Sequence, residues 1–227
     1  MPLKARLFIN TTIVVGFTIL AGCLIADHEF PQGQRFLQCL VLALLASTFK
    51  IKLPGMANTI AANFVLFLIA LAVLPLDETL ILAVLSCLAQ CFWRPKTRPK
   101  LIQVLFNLAS TTTSIALAFE ITSGLRKADA VVPELIVASA IFFAVNSGLV
   151  SVVVALLRNQ PALEVWRNCH RWAFPYYLSG AILAVVITSS SRISGWVPAL
   201  AMLPVMYMIY ACYDQWIKPR VAEVVRD

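Results

Sequence analysis

Apolar residues run in long blocks along this chain, and the polar residues gather in short gaps between them. Eight apolar segments are legible, at approximately 7–26, 36–49, 57–76, 78–93, 101–120, 131–157, 172–189 and 196–213. An α-helix rises 1.5 Å per residue and needs about 20 residues to cross a hydrocarbon core of roughly 30 Å. Most of the segments meet that length. The second covers only about 21 Å and reads as an inner helix that still crosses. The pattern predicts an all-α fold, a polytopic integral membrane bundle of about eight transmembrane or membrane-embedded helices. One membrane domain, 1–213, contains all of them, and a tail, 214–227, follows. In that tail Ile217, Val221 and Val224 fall at i, i+4 and i+7 between charged residues, the pattern of a short amphipathic helix. The first apolar run continues through Leu24, Ile25 and Ala26 past Ala21-Gly22-Cys23, so it reads as a helix rather than a cleaved leader.

Composition agrees. The 227 residues are 60% hydrophobic and 13% charged, where a soluble domain carries about a quarter charged residues. The net charge of +7 changes the picture through its placement. With eight crossings, fourteen of the 18 Lys and Arg residues fall on one side and only Arg35, Arg126, Lys127 and Arg192 on the other. The rich side holds Lys4, Arg6, Lys50, Lys52, the block from Arg94 to Lys100, Arg158, Arg167, Arg171 and the tail cations. Such an excess marks the cytoplasmic face. We therefore expect both termini in the cytoplasm and a multi-pass protein of a bacterial inner membrane. Trp93, Trp166, Trp172, Trp196 and Trp216 all sit near predicted helix ends, where an indole favours the headgroup region. The basic patch then reads as a topology signal plus attraction to anionic lipid. A nucleic-acid partner would need a soluble basic surface with aromatic platforms, which the pattern does not provide.

Candidate chemistry is sparse. No HExxH, GxSxG, Walker-type or Rossmann fingerprint occurs, so we expect no catalytic residues and no enzymatic activity. The six cysteines form no CxxC pair and lie mostly in apolar runs, which argues against a disulfide framework or a metal site. No cofactor is identifiable. Asp27-His28-Glu29 and Asp77-Glu78 read as solvated acidic loops, and Glu120 is the acid nearest a helix interior, at the outer surface.

The informative segment is 101–120, where Gln103, Asn107, Ser110/Thr111 and Ser114 form one stripe. A polar stripe facing lipid is costly, so it should face the bundle interior or a cavity. Asn63 and Asn107 lie at nearly the same depth, with Gln90 and Gln103 nearer the surface and Asn146 nearer the midplane. Proline marks two irregular places, Lys52-Leu-Pro-Gly-Met56 and Phe174-Pro-Tyr-Tyr177. The candidate ligand-binding set is therefore Asn63, Gln90, Gln103, Asn107, Thr111, Asn146, Tyr176 and Tyr177. Two readings stay open. The amides could pin helix packing, each hydrogen bond contributing about 0.6–2 kcal/mol, or they could line a pocket for a small polar or amphipathic molecule. Alanines four apart, Ala57/Ala61 and Ala140/Ala144, suggest close helix approach.

Several of these elements together carry a resemblance. Phe49-Lys-Ile-Lys-Leu-Pro-Gly55, Thr59-Ile60, Asn63-Phe64, Gln90-Cys-Phe-Trp-Arg-Pro-Lys96, Gln103-Val-Leu-Phe-Asn107, Asn146 and Phe174-Pro-Tyr-Tyr177 resemble an N-terminal membrane domain of bacterial signalling proteins. In those proteins it precedes diguanylate-cyclase (GGDEF), HD-GYP phosphohydrolase or histidine-kinase output domains. The likeness covers roughly residues 6–213. The order of short helix, Pro-Gly turn and Thr-Ile-x-x-Asn-Phe helix is also similar, more weakly, to substrate-binding subunits of energy-coupling-factor vitamin transporters. No output domain follows Asp227, so the resemblance implies a stand-alone member or an output partner on a separate polypeptide. What it implies for function is a non-enzymatic membrane sensor or accessory subunit, recognising an apolar or amphipathic small molecule or partner helices. Its partners would be the lipid bilayer and a protein partner or second copy, met through membrane helices or the tail. The alternatives are a substrate-binding subunit of a small-molecule transporter and a structural subunit of a larger membrane complex.

Overall fold

A computed structural model describes residues 1–26, 33–48, 50–52, 59–61, 63–93, 99–170, 173–194 and the single positions 211 and 215. Within them the chain is helical throughout apart from one small hairpin. The helices are α1 (Leu3–Ala26), α2 (Gly33–Ala46), α3 (Asn63–Val73), α4 (Leu76–Phe92), α5 (Leu101–Ile121), α6 (Ser123–Lys127), α7 (Val131–Arg158), α8 (Ala162–His170) and α9 (Phe174–Ser194). The expected eighth span at 196–213, the tail and most of the Arg94–Lys100 block lie outside the described residues. Among the described residues, α1, α5 and α7 are each long and apolar enough to cross a membrane.

Local chemistry explains the boundaries. The third apolar segment was expected to be helical from residue 57, but its first part is extended. Lys50–Lys52 (β1) pairs antiparallel with Thr59–Ala61 (β2), with Ile51 opposite Ile60. The β-branched Thr59 and Ile60 favour that pairing, so α3 is confined to 11 residues. Pro75 then separates α3 from α4, because the residue before a proline is disfavoured in the helical region. Pro75 also caps α4 in extended conformation. At α5, the Lys100 N–H donates to Gln103 Oε1 at 3.1 Å, satisfying one of the donors that a helix start leaves open. Asn159 ends α7 in the left-handed conformation (φ 55°), which Asn tolerates better than most residues. The connecting helices α6 and α8 were not expected from the sequence, where both segments read as short loops.

The bundle has two hubs. Helix α5 packs against α1, α4 and α7, while α3 packs against α2, α4, α7 and α9. Every residue from Asn63 to Leu71 is buried, as befits a helix apolar on all sides. Its ring cluster joins three helices: Tyr177 of α9 lies 4.5 Å from Phe64 of α3 and 4.8 Å from Phe143 of α7 between ring centroids. Aromatic pairs at this spacing stabilise beyond their buried area.

The close helix approach occurs elsewhere than expected. Ala140 and Ala144 are exposed. Instead Gly16 of α1 faces Ala109 of α5 so closely that a Cβ on Gly16 would fall 2.5 Å from the Ala109 Cα. Only glycine fits there. The side chains of Ala57 and Ala61 lie outside those described. Apolar residues also cover the outside of the bundle: Leu178, Ile182 and Val186 on α9, and Leu7, Val14 and Val15 on α1, are exposed. A surface apolar on that scale suits acyl chains rather than water.

Candidate functional site

The polar residues singled out in the sequence occupy two settings. Deep in the bundle they form pairs between helices. Asn63 of α3 donates from Nδ2 to Gln90 Oε1 of α4 at 3.3 Å. Ser110 of α5 donates to Asn146 Oδ1 of α7 at 2.9 Å, and Asn146 also meets the Tyr177 hydroxyl of α9. Thr111 of α5 meets the Cys87 thiol of α4, which in turn meets Cys91 one turn along. Asn107 Nδ2 approaches Cys91 Sγ at 4.0 Å. Every one of these contacts joins different helices, apart from the Cys87–Cys91 pair. They satisfy polar groups that lipid could not, and they fix rotation and depth.

The stripe on α5 changes character along its length. Ser114 and Ser110 are buried, Asn107 and Thr111 half-buried, and Gln103 exposed. At the open end Gln103 and Asn107 form part of a cavity of about 440 Å3 between α1, α5 and α7. Phe106 and Val154 contribute apolar wall, and Lys100 and Arg158 stand on its rim. A second hollow of about 380 Å3 adjoins it past Leu157, lined by Lys4 and by the α7–α8 connection. Both volumes fall within the roughly 300–1,000 Å3 typical of small-molecule sites, and an apolar lining with few polar groups is the usual make-up of such sites. Of the eight candidates, Gln103 and Asn107 reach the larger cavity. Asn63, Gln90, Thr111, Asn146 and Tyr177 belong to the interhelical pairs, and the Tyr176 side chain lies outside those described. Among the described residues, no group of three or more His, Cys, Asp or Glu could hold a metal ion.

Two expectations about acids are corrected. Glu120 is exposed, and among the described residues the acids inside the protein are Glu78 and Glu134, 0% and 2% exposed, with Asp77 also buried. Asp77 and Glu78 sit in the first turn of α4, where the positive end of the helix dipole favours a carboxylate, and α2 packs over that helix. Glu134 occupies the first turn of α7 and accepts a hydrogen bond from Arg126 Nε at 2.7 Å. Arg126 also donates to the Phe119 carbonyl at 3.3 Å and to Thr122 Oγ1 at 3.2 Å, and it lies 3.5 Å from the Phe119 ring centre. A buried carboxylate needs a partner of this kind. The sequence offered a faint signal, an acid just after Pro133 and eight residues beyond Arg126. Sequence reasoning read Trp166 as a headgroup-facing indole and missed its bond: its Nε1–H donates to Ser147 Oγ at 2.8 Å and so ties α8 to α7.

A helical bundle, apolar on its outer faces and stitched inside by amide and hydroxyl pairs, is the make-up of a membrane domain. The profile of the MASE9 family matches residues 23–216. The chain belongs to that family, one of membrane-associated sensory domains. No curated protein matches the chain, and no solved structure does.

Proposed function

We propose that this chain is a non-enzymatic membrane sensor or accessory subunit. In this reading it crosses a bacterial inner membrane eight times with both termini in the cytoplasm. Its bundle takes up an apolar or amphipathic molecule, or a partner helix, and passes the resulting shift to residues 214–227. Membership in a sensory-domain family is the observation that carries the reading. The α1–α5–α7 cavity supplies a place for a ligand, and the α5 stripe connects that place to the interhelical pairs. The lopsided placement of Lys and Arg supports the topology. An output domain of the diguanylate-cyclase, HD-GYP or histidine-kinase type would complete the signalling unit.

Affinity capture of the full chain from membranes in mild detergent tests the role. A signalling enzyme should copurify, and Asn107→Leu should change its activity or its association while leaving insertion intact. Recovery of an ATPase module with a bound metabolite would make the chain a transporter subunit. Recovery of a respiratory or photosynthetic assembly would make it a structural one. Topology is tested separately, by labelling single cysteines placed in the segment from 94 to 100 in a variant without native cysteines. Modification by a membrane-impermeant maleimide from the periplasmic side would overturn the eight-span arrangement.

A further inference from the structure

We propose that the cavity between α1, α5 and α7 binds an anionic amphiphile, with its phosphate or carboxylate at the Lys100/Arg158 rim and its hydrocarbon chain along the apolar wall. Binding of this kind deepens the sensor reading above and rests on it for its purpose.

The cavity is chemically graded. Lys100 stands at the N-terminus of α5 and Arg158 in the last turn of α7, both exposed, so two cations share one mouth. The positive end of the α5 dipole adds to the field there, since α5 begins immediately after Lys100. Lys4 lies beside the adjoining hollow. Among the described residues, no acidic side chain lines either space. From the mouth inward, Gln103 and Asn107 present amides along the α5 side, a polar track beside mainly apolar lining residues. Val150 marks the far end, eight residues or about 12 Å along α7 from Arg158.

Two features separate an amphiphile from a small soluble anion. The walls are mainly valine, isoleucine, leucine and phenylalanine, which an inorganic anion would leave wet, whereas a hydrocarbon chain covers them. The flanking helices also face lipid: α1 packs chiefly on α5 and only lightly on α7, and Leu157 at the edge is exposed. A chain can therefore enter sideways from the bilayer, head in the basic mouth and tail between α1 and α7. The amides along the α5 side can donate to ester or carboxyl oxygens below the headgroup.

Native mass spectrometry of the full chain in neutral detergent tests this, with equimolar dioleoylphosphatidylglycerol and dioleoylphosphatidylcholine as probes. We expect one saturable phosphatidylglycerol adduct, preferred roughly tenfold or more, since each cation near a headgroup adds several-fold attraction. Lys100→Gln/Arg158→Gln should bring the two lipids to parity. Val154→Trp, at a half-buried wall position, should abolish the single adduct while the thermal unfolding midpoint stays close to that of the unaltered chain. Equal binding of the two lipids by the unaltered chain would overturn the proposal. So would displacement of the adduct by millimolar inorganic phosphate, which would mark a free-anion site, or many unsaturable adducts indifferent to Val154→Trp, which would mark ordinary surface lipid. Failure of the sensor role looks different. If the lipid binds as expected and Val154→Trp leaves a copurifying enzyme unaffected, the cavity assignment stands and sensing falls. If the enzyme responds to its signal and Val154→Trp leaves lipid binding intact, the cavity assignment falls and sensing stands.

Discussion

Helices α1 and α3 have nearly the same chemistry and opposite lives. Both are built mainly from aliphatic and aromatic residues, α3 with Asn63 at its start and α1 with Lys4, Arg6, Asn10, Thr11, Thr12 and Thr18 among its apolar positions. Helix α1 is 24 residues long and buries only Ala5, Ile9, Thr12 and Gly16, one narrow stripe laid on α5. Helix α3 is 11 residues long and buries all of its residues from Asn63 to Leu71. In water such a pair would be hard to reconcile, because an apolar helix left more than half exposed would collapse onto something. In a bilayer the exposed side of α1 already has a good solvent, so no hydrophobic force draws it into the protein. What positions a helix here is fit and hydrogen bonding rather than greasiness. Helix α1 is held by a glycine that lets two backbones touch, and α3 by rings, by the Asn63–Gln90 pair and by neighbours on every side.

That contrast can be broken at graded positions. The largest effect should come from Phe64→Ala, which empties the centre of the ring cluster. We expect a loss of about 2–4 kcal/mol, on the low side for a large core truncation because unfolded segments keep apolar company in lipid. Thermal unfolding of the detergent-purified protein reads it, and a midpoint unchanged within error would remove α3 from the centre of the fold. Next comes Gly16→Val, which forces α1 off Ala109 at a cost of about 1–3 kcal/mol. The specific sign is that a cysteine placed at buried Thr12, in a background without native cysteines, becomes reactive to maleimide only in the valine variant. Smaller again is Asn146→Leu, which removes the acceptor of Ser110 and the partner of Tyr177 for about 0.6–2 kcal/mol. A double-mutant cycle with Ser110→Ala measures the shared part, and strict additivity would show the pair to be energetically idle. Ile25→Ala, on the lipid face of α1, should stay within about 0.5 kcal/mol. A loss as large as that of Phe64→Ala would show that this face is covered by protein, not lipid.

How far the sequence foretold this depends on which interaction sets each feature. Hydropathy placed α1, α5 and α7 to within a few residues, because span length and apolarity are properties of one segment alone. It misplaced the start of α3, where pairing between two separated tripeptides outweighs the apolar run. The polar stripe was legible because its period is a property of one helix, and Asn107 and Ser110 do face inward. Its partners were not legible. That Asn146 meets Ser110 and Tyr177, or that Cys87 meets Thr111, follows from how helices rotate against each other, which a single sequence does not encode locally. The buried acids failed for a related reason. Glu78 read as a loop charge and Glu134 drew no reading, because the helix ends that accept them, and for Glu134 the Arg126 side chain folded back over Phe119, are set by the folded chain. The cavity needed three helices at once and left only the Gln103/Asn107 spacing as a trace.

The contact between Gly16 and Ala109 has a consequence for biogenesis. The docking surface for the first helix lies on the fifth, so during synthesis the first helix waits in the bilayer without its mate while three further apolar segments are made. Its length and largely apolar exterior are what let it wait unharmed. The third helix, too short to span alone and with an amide at its start, has no such independence and must be received by neighbours as it arrives.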